Sequence, residues 1–599
     1  MPKAYELSPE VQKAYETLKK VRVSKTVALK PIPRLRKEIE GLDGKPQEFK
    51  LRYYQVQGAF HMIQMKRMLL GDSCGLGKTV ECIAAFSYLW EKEHQNKVIV
   101  VAPKSAVQQW ADEIRRFTNG VRPIVVENPK SSKAGGALEA RKKAYREWLD
   151  APTGPEAEKV VLIMNYALLI RDWNAEGYQP LKPNGRPDPK QPVVPGVLNS
   201  ATQKVADTGG LVVILDESTA FKSKKTKTWE TAYYLSTRAQ RCYGLTATLL
   251  KNNLMEGFSI YGVIRPGTFS TQTAFFEDYC YVKMQKAGRK QFPIVTGYKN
   301  LEHFRERIDP FYLGRKKQEV STELPVLTTR ELLCELSKEE DSKYEEALSG
   351  ILELGDGEVR DFEEHKALVS LNYCQQVANS LSLLKFQEGD GIKAGFRSSK
   401  EQGLIDLLTG ELDDEKVIVY TRYASHVERL QEILKKEKIQ SVRITGKESD
   451  AERKKNQKAF QDLNSKTKVV FITAAGTEAI NLQAAAAMIF FDMPWSWGDY
   501  VQALGRLIRI GSPHKGVLAF HLIAKRPTNS GTTGKTIDHH VLGLLRKKKS
   551  FIDKIIGEEA KGTLKFEQGE GNSLQQLVKS LQGKGERTSL ERVIEGDPV

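Results

Sequence analysis

Short apolar runs recur along the chain, and each is followed by a polar or glycine-containing turn and then by a helical stretch. Six of them begin at Val98, Val160, Leu211, Val417, Val469 and Met488. Because the runs do not alternate with polar residues, they predict strands covered on both faces, as in parallel sheets flanked by helices. The runs lie before residue 250 or after residue 415, which predicts an α/β fold of two doubly wound parallel-sheet lobes.

The region between the two groups, residues 253–410, is dominated by charged, helix-favouring sequence such as LSKEEDSKYEEALSGILEL. We therefore predict helical protrusions inserted between the lobes. Two further segments, 128–158 and 178–196, interrupt the first lobe. The second holds a cluster of prolines, which neither donate to a sheet nor continue a helix, so it predicts an extended surface loop.

Composition narrows the class of protein. The chain has 599 residues, of which 40% are hydrophobic and 28% charged. A chain of this length is too long to fold around a single hydrophobic core, so we expect several domains. The proportions of hydrophobic and charged residues exclude wholesale disorder. The absence of long apolar runs excludes a membrane-embedded protein. The net charge of +17 favours a polyanionic partner. A merely solvated basic surface is the alternative explanation of that charge.

The cysteines and the N-terminus bear on the compartment. The six cysteines form no C-x-x-C pair, which indicates neither a disulfide framework nor a zinc module and favours a reducing compartment. The first twenty residues are polar and contain no apolar signal region. We therefore expect the protein to stay inside the cell.

A glycine-containing segment, GDSCGLGKTV at 71–80, lies between the apolar MLL and the helical ECIAAFSYLW. A strand, a glycine-containing loop and a helix start place backbone N–H groups and the positive end of a helix around phosphates. Lys78 would reach the β- and γ-phosphates, and Thr79 would offer its hydroxyl to Mg²⁺. Gly75 and Gly77 would allow close approach of the backbone. The alternative is a helix cap followed by an incidental Lys-Thr pair.

Asp216 and Glu217 follow directly after the run LVVIL. Carboxylates just past the carboxyl end of a buried strand face the crevice in which such sheets bind ligands. In a nucleotide hydrolase, Asp216 would hold the Mg²⁺ shell and Glu217 would orient or deprotonate the attacking water. An isolated Asp-Glu pair is more often a helix cap, so the hypothesis depends on its place in the same lobe as Lys78.

The segment QALGRLIRIGS at 502–512 carries Arg506 and Arg509. On one helix these arginines would share a face and could reach the same phosphate group, where a planar guanidinium neutralises transition-state charge. A solvated basic stripe is the alternative interpretation. Because these arginines and Lys78 belong to different lobes, hydrolysis would require the second lobe to close on the first.

In order from Leu51 to Gly557, the segments resemble the Swi/Snf-like branch of the superfamily-two helicases, a family of DNA translocases. DSCGLGKT is similar to the family's D-E-M-G-L-G-K-T, which accounts for Asp72 where a glycine would be expected. DESTAFKS occupies the place of the family's motif D-E-A-H-R-L-K-N, and LTATLLKNN occupies the place of L-T-G-T-P-x-x-N. QALGRLIRIGS matches the arginine-finger motif, and PFYLGRKKQEV from Pro310 resembles a stretch of the family's protrusions. TIDHHVLGLLRKKKSFIDKIIG at 536–557 is similar to the brace helix, whose basic run Arg546–Lys549 fits either a solvated face or a DNA hook.

The resemblance implies roles for individual residues. The implied catalytic residues are Lys78, Asp216, Glu217, Gln502, Arg506 and Arg509. Contacts with ATP are implied for Arg52, Gln55, Gly75, Gly77, Lys78, Thr79 and Gly476, and contacts with Mg²⁺ for Thr79 and Asp216. Contacts with DNA are implied for Lys104, Ser105, Lys222, Thr246, Asn481 and Trp495. The sequence departs from the family at Thr219, Ala247, Leu249 and Ser512.

The resemblance also implies a domain order. It comprises a helical N-terminal extension (1–50), a first RecA-like ATP-binding lobe (51–252), helical protrusions with a linker (253–410), a second RecA-like lobe (411–535), the brace helix (536–557) and a flexible tail (558–599).

The implied activity is DNA-stimulated ATP hydrolysis, with movement along double-stranded DNA through contacts with its phosphate backbone and without base reading. The enzyme would remodel DNA structures or displace bound proteins. We expect a monomer in the cytoplasm of a bacterial or phage-infected cell, or in the nucleus if the source is eukaryotic, without membrane association. An RNA-directed helicase and a non-hydrolysing scaffold that clamps DNA are the two alternatives.

Overall fold

All six apolar runs form strands in two parallel sheets. The computed structural model describes residues 7–24, 32–40, 46–93, 97–128, 136–173, 196–250, 253–287, 290–320, 324–349, 351–354, 359–361, 366–385, 396–476, 480–509, 512–527, 534–556 and 564–565. The chain divides into two units, which are residues 1–321 with 558–564 and residues 322–557 with 565–599. Each unit contains one of the predicted α/β lobes, so the predicted fold class is confirmed.

The first unit is built on a seven-stranded sheet. Its eleven strands in chain order are β1 (Glu38–Glu40), β2 (Pro46–Glu48), β3 (Arg67–Leu70), β4 (Lys97–Ala102), β5 (Val121–Val125), β6 (Lys159–Asn165), β7 (Leu211–Leu215), β8 (Arg241–Leu245), β9 (Cys280–Ala287), β10 (Lys290–Tyr298) and β11 (Tyr312–Leu313). The sheet order is β11-β3-β8-β7-β4-β6-β5, and all neighbours are parallel. The hairpins β1-β2 and β9-β10 lie outside this sheet.

Helices connect these strands. They are α1 (Pro9–Val23), α2 (Tyr53–Met65), α3 (Lys78–Glu93), α4 (Val107–Phe117), α5 (Gly136–Asp150), α6 (Tyr166–Trp173), α7 (Val197–Asp207), α8 (Lys227–Arg238), α9 (Leu254–Ile264), α10 (Gln272–Tyr279), α11 (Leu301–Ile308) and α12 (Lys317–Val320). In α4, the buried residues Val107, Trp110, Ala111, Ile114 and Phe117 recur at helical spacing, so one stripe of the helix packs against the protein interior.

Two predictions for the first unit need correction. The extension at 1–50 was predicted to be helical, but besides α1 it contains the antiparallel pair β1-β2. The segment 128–158 was predicted to interrupt the lobe, but its helix α5 buries Tyr145 and Trp148 and therefore belongs to the core. In the same helix, Arg141 forms a buried ion pair with Asp172, with 2.7 Å between Nε and Oδ2. The proline-rich segment 178–196 lies outside the described residues apart from Gly196.

The second unit is built on a six-stranded parallel sheet. Its strands are β12 (Val326–Glu335), β13 (Ile351–Glu353), β14 (Val359–Asp361), β15 (Val417–Tyr420), β16 (Gln440–Ile444), β17 (Thr467–Ile472), β18 (Ala487–Phe490) and β19 (Gly516–Lys525). The sheet order is β12-β19-β18-β15-β17-β16, whereas β13 pairs with β14. A last short strand, β20 (Leu564–Lys565), begins at the final residue of the first unit and belongs to the small sheet of β9 and β10. The helices are α13 (Lys338–Ser349), α14 (Lys366–Asn379), α15 (Ser399–Thr409), α16 (His426–Lys436), α17 (Asp450–Gln461), α18 (Trp497–Leu507) and α19 (Ile537–Ile556).

The second sheet is covered on both faces. Ile418 and Tyr420 of β15 belong to one hydrophobic cluster, whereas Val417 and Val419 belong to another. Successive side chains of a strand point to opposite faces of its sheet, so the two clusters are the cores on its two sides. This explains why the predicted runs lack polar alternation. No helix within the described residues is long and apolar enough to cross a membrane.

Residues 253–410 contain the predicted helices and also strands that the sequence did not indicate. The region contains helices, but β11 joins the sheet of the first unit and β12 joins the sheet of the second. Most of β12 is solvent-exposed because it is the edge strand of its sheet, which explains its charged and polar sequence VLTTRELLCE. The predicted brace helix is present as α19, while all of the tail at 558–599 except residues 564–565 lies outside the described residues.

A buried ion pair fixes the start of α19. Lys400 Nζ lies 2.7 Å from Asp538 Oδ2, and both side chains are fully buried. The ammonium group also donates to Asn379 Oδ1 at 3.1 Å and to the Phe491 carbonyl at 3.0 Å. The Asp538 carboxylate accepts the backbone N–H of Ala524. Helix α19 is therefore attached to β19 and to the end of β18 by groups that water cannot replace.

Replacing Asp538 by alanine should destabilise the second unit by about 3 to 5 kcal/mol, because the Lys400 ammonium would remain buried without its counter-charge. The measurement is hydrogen exchange of the α19 amides as a function of urea. The matched control is Arg330→Ala in the exposed Arg330–Glu411 pair, which should cost at most about 1 kcal/mol.

The double variant Lys400→Met with Asp538→Ala should cost less than the sum of the two single changes, since it removes both charges. Additive losses would contradict a direct coupling between them.

Candidate active site

The phosphate loop, residues 71–77, connects β3 to α3 as predicted. Gly75 and Gly77 have φ values of 90° and 93°, in the left-handed region that favours glycine. A Cβ atom at Gly77 would also lie 2.6 Å from Gln55 Nε2. Lys78 begins α3, and its ammonium donates to the Asp72 carbonyl at 2.6 Å. The backbone is therefore close enough to its surroundings that a side chain at Gly77 would not fit.

Gln55 links the start of α2 to the phosphate loop. Its side-chain oxygen accepts the Arg52 N–H at 3.0 Å, and its amide nitrogen donates to the Leu76 carbonyl at 3.1 Å. The structure thus brings Arg52 and Gln55 to the loop, and their contact with ATP stays a prediction. Thr79, the second residue of α3, is partly buried beside Lys78.

The two acids lie at the end of β7. Asp216 is partly buried, and its carboxylate accepts the Trp110 Nε1–H at 2.8 Å and the Glu217 N–H at 2.9 Å. Burial raises the pKa of Asp216 to about 6, against the opposing effects of the Trp110 hydrogen bond and the Lys78 charge. Strands β3 and β7 are parallel and separated only by β8, so the loop that leads from β3 to Lys78 and the acids that follow β7 lie at the same carboxyl edge of the sheet. The contact between Trp110 and Asp216 joins residues 106 positions apart, so the local sequence of neither residue indicates it.

Glu217 has an unusual backbone conformation. Its φ and ψ of 50° and 63° lie in the left-handed region, which is uncommon for a residue with a side chain and often marks functional sites. The Thr219 hydroxyl donates a hydrogen bond to Glu217 Oε1. Thr219 stands where the related family has histidine, so in this chain a hydroxyl holds the carboxylate that is predicted to orient water.

Arg315 holds the phosphate loop from a distant part of the chain. Its guanidinium group binds the Asp72 carboxylate through Nε and Nη2, with Nε 3.0 Å from Oδ1. Nη2 also donates to Glu81 Oε2 of α3 at 2.9 Å, and Nη1 donates to the Tyr54 carbonyl of α2. Arg315 is 9% exposed, and both acids are fully buried. One side chain therefore joins α2, the phosphate loop and α3.

The electrostatics of this cluster reflect its burial. Desolvation raises the pKa of Glu81 well above its ordinary value, while Arg315 acts in the opposite direction. Burial alone would lower the pKa of Arg315, but the two acids raise it above its ordinary value. Losing the arginine would leave carboxyl groups without their partner in a dry environment.

Backbone hydrogen bonds extend this support. The Gly71 N–H donates to the Leu313 carbonyl of β11 at 2.6 Å, and the Ser73 N–H donates to the Arg315 carbonyl at 3.1 Å. Residues 313–315 thus run beside the first half of the phosphate loop. In the sequence, this stretch stands out only through its family resemblance, because residues 243 positions apart share no local pattern.

The two arginines of the second unit converge on one backbone group. Arg506 Nη1 and Arg509 Nη1 donate to the Ile480 carbonyl at 3.1 and 2.9 Å. The prediction of a shared helix face is wrong for Arg509, because α18 ends at Leu507. The two side chains nevertheless reach the same oxygen atom, and Gln502 is buried on the same helix.

The other predicted residues of the second unit occupy different environments. Gly476 is buried, and a Cβ atom there would collide with the Ile444 carbonyl. Asn481 Oδ1 is buried and has no hydrogen-bond partner among the described residues. Trp495 packs partly buried against the core, and its carbonyl accepts a hydrogen bond from Lys548 of α19 at 3.0 Å. At least this lysine of the basic run at 546–549 therefore contacts the protein itself.

The predicted DNA contacts of the first unit divide by exposure. Lys104 and Lys222 are exposed and Ser105 is partly exposed. Thr246 is only 1% exposed, and its hydroxyl accepts the Thr248 N–H at 3.1 Å. The structure therefore corrects the hypothesis for Thr246: its side chain shapes the turn after β8, and its burial does not suit a DNA contact.

The residues of the first unit fit a nucleotide with Mg²⁺. Gly75 and Gly77 adopt the left-handed conformations that let backbone N–H groups approach a phosphate group, and the Asp216 carboxylate lies at the same edge of the sheet. In the described part of the chain, no group of three or more His, Cys, Asp or Glu residues could hold a metal. Mg²⁺ is usually held by one or two protein carboxylates together with substrate phosphates, and Asp216 offers one carboxylate at this edge of the sheet.

Comparison with known proteins identifies the family. Residues 54–383 match the SNF2-related domain. The chain belongs to the SNF2-related family. Residues 399–511 of this SNF2-related protein match the helicase conserved C-terminal domain, and the two domains together are those of a helicase-type ATPase. The Swi/Snf-like resemblance predicted from the motifs is thus confirmed.

Several relatives of this SNF2-related protein are helicases or chromatin remodellers. An uncharacterized ATP-dependent helicase of Mycoplasma pneumoniae is 22% identical over 515 residues, which are 85% of this chain and 42% of the relative. The chromatin structure-remodeling complex subunit snf21 of Schizosaccharomyces pombe is 23% identical over 85% of this chain and 39% of its own. The ATP-dependent helicase YqhH of Bacillus subtilis is 24% identical over 82% and 76%. The chain spans about two fifths of the length of the first two relatives.

Among solved structures, the SWI2/SNF2 ATPase core of Sulfolobus solfataricus in complex with double-stranded DNA is 22% identical. It has a TM-score of 0.36 over 89% of this chain and 96% of that chain.

Replacing Arg315 by lysine should weaken the binding of Mg²⁺–ATP about 10- to 100-fold, because lysine keeps the charge but cannot bind Asp72 through two nitrogens. The measurement is the Kd of a fluorescent ATP analogue, with circular dichroism as a check of folding. The control is Arg330→Lys in an exposed ion pair, which should leave the Kd unchanged. A folded Arg315→Lys variant with unchanged affinity would show that the loop does not depend on this side chain.

Proposed function

We propose that this protein is an ATPase that is stimulated by double-stranded DNA and moves along the duplex. The observation that carries the proposal is the carboxyl edge of the first sheet, at which the glycine-containing phosphate loop and Lys78 follow β3 and the Asp216 carboxylate follows β7. The chain belongs to the SNF2-related family and also matches the helicase C-terminal domain, and both findings support the same activity.

The residues of the first unit divide the chemical work. The N–H groups of the phosphate loop and the Lys78 ammonium bind the triphosphate, and Arg52 and Gln55 lie on the side of the base. Thr79 and Asp216 would hold Mg²⁺, which supplies charge neutralisation for the leaving phosphates when bound. Glu217, held through Thr219, orients the attacking water and accepts its proton.

The residues of the second unit complete the proposal. Arg506 and Arg509 already converge on a single oxygen atom, so their geometry suits a shared phosphate oxygen. Each guanidinium would then exchange the Ile480 carbonyl for the charge that develops on the transferred phosphate, assisted by Gln502. That these groups act on the triphosphate bound at Lys78 stays a prediction.

The basic composition supports DNA as the partner, since 92 lysines and arginines stand against 75 acids. Relatives that match 85% of the chain include a protein named as a chromatin-remodelling subunit. In this proposal Lys104, Ser105, Lys222, Asn481 and Trp495 contact the phosphate backbone, which requires no base reading. We further propose that the protein acts as a cytoplasmic monomer and remodels DNA or displaces bound proteins.

ATP turnover should rise with duplex DNA more than with single-stranded RNA, and Lys78→Ala should abolish turnover because the phosphates lose their lysine. The measurement is steady-state ATPase activity with duplex, forked and single-stranded DNA and with RNA, followed by displacement of a triplex-forming strand. Lys92→Ala, at the other end of α3, is the matched control and should retain activity.

Stronger stimulation by RNA would favour an RNA-directed helicase. DNA binding and biological activity that persist unchanged in Lys78→Ala would favour a non-hydrolysing clamp. Stimulation by DNA without displacement of the triplex strand would remove translocation from the proposal.

A further inference from the structure

A cluster of lysines follows the catalytic acids of the first unit. Lys224, Lys225 and Lys227 lie in the segment KSKKTK, immediately after Lys222, and all four side chains are exposed. Within the described residues, no acidic group lies within ion-pair distance of any of the four. The segment 223–227, here called the basic turn, connects the short helical turn Ser218–Phe221 to α8.

The basic turn has a fixed conformation. The Thr226 N–H and hydroxyl both donate to the Ser223 carbonyl, at 3.3 and 3.0 Å. The Thr226 hydroxyl also accepts the Trp229 N–H at 3.2 Å, which caps the start of α8. The Lys224 ammonium lies 4.5 Å from the centre of the Phe258 ring and 5.1 Å from that of Trp229. The turn is therefore formed before any ligand binds, which lowers the entropy cost of binding.

The charges of the basic turn suit an anionic partner. Lys225 and Lys227 lie at the start of α8, where the helix dipole adds partial positive charge and Glu230 is the acidic residue of the first turn, so the charge at this helix start is positive on balance. The backbone N–H groups of the helix start and the ammonium groups all favour phosphate. Lys222, an expected DNA contact, precedes the turn directly, so both belong to one stretch of surface.

We propose that the basic turn binds the phosphate backbone of double-stranded DNA, as a contact additional to those implied by the family motifs. The inference rests on the proposed function, and it assigns to Lys225 and Lys227 a role in affinity that is separate from hydrolysis. Replacing them should weaken DNA binding equally for all sequences, because phosphate contacts carry no base information.

The test uses a double variant that carries both Lys225→Gln and Lys227→Gln. This variant is compared with the wild-type protein. The logarithm of the association constant for duplex DNA is measured against the logarithm of salt concentration, and the slope should fall in magnitude by about 2, or about 0.9 for each lost phosphate contact. ATP turnover without DNA and turnover at saturating DNA should both be unchanged, while the DNA concentration for half-maximal stimulation rises. The control is Lys435→Gln with Lys436→Gln, an equal charge loss at exposed positions of α16.

An unchanged salt-dependence slope in the double variant, or an equal change of slope in the control, would overturn this inference. The proposed function would still stand if duplex DNA stimulates ATP turnover by the wild-type protein. The absence of DNA stimulation in the wild-type protein would overturn both. Binding of polyglutamate that weakens in the double variant, with duplex binding unaffected, would identify an acidic polypeptide as the partner and overturn the assignment to DNA.

Discussion

The phosphate loop depends on one buried interaction, in which Arg315 binds Asp72 and Glu81. Charges removed from water are costly unless they are paired and hydrogen-bonded, so this cluster is stable only in a geometry that satisfies its members. That geometry fixes α2, the loop and α3 relative to one another. The conformation of the phosphate loop therefore depends on Arg315 and the acids that it binds as much as on the glycines of the loop.

Much of the fold follows from the apolar runs, because a strand with both faces covered cannot carry polar residues. The strands β4, β6, β7, β15, β17 and β18 were predicted on that basis. The prediction failed for β12, whose exposed edge position permits polar residues, and for β11, which is only two residues long. The charged composition of residues 253–410 favoured helix, and one strand of each sheet was therefore missed. Charged and polar residues also occur in solvent-exposed strands, so composition depends on exposure as well as on secondary structure.

The candidate site was predictable where the chemistry is local. Lys78 follows β3 through the phosphate loop, whereas Asp216 and Glu217 follow β7 directly, and the strand pattern therefore places all three at a sheet edge. Contacts made by packing were not predictable: the hydrogen bond from Trp110 to Asp216 joins residues 106 positions apart. The burial of Thr246 and the end of α18 before Arg509 likewise depend on tertiary structure.

The strand β11 and Arg315 lie well beyond the last central strand of the first sheet, β8, which ends at Leu245. A fragment that stopped at residue 252 would carry every recognisable nucleotide motif of the first lobe and would still lack the residues that shape its loop. The same holds for transplanting the motif into another protein. The nucleotide-binding property of this lobe is therefore not modular: in evolution, the loop and the distant segment that supports it can change only together.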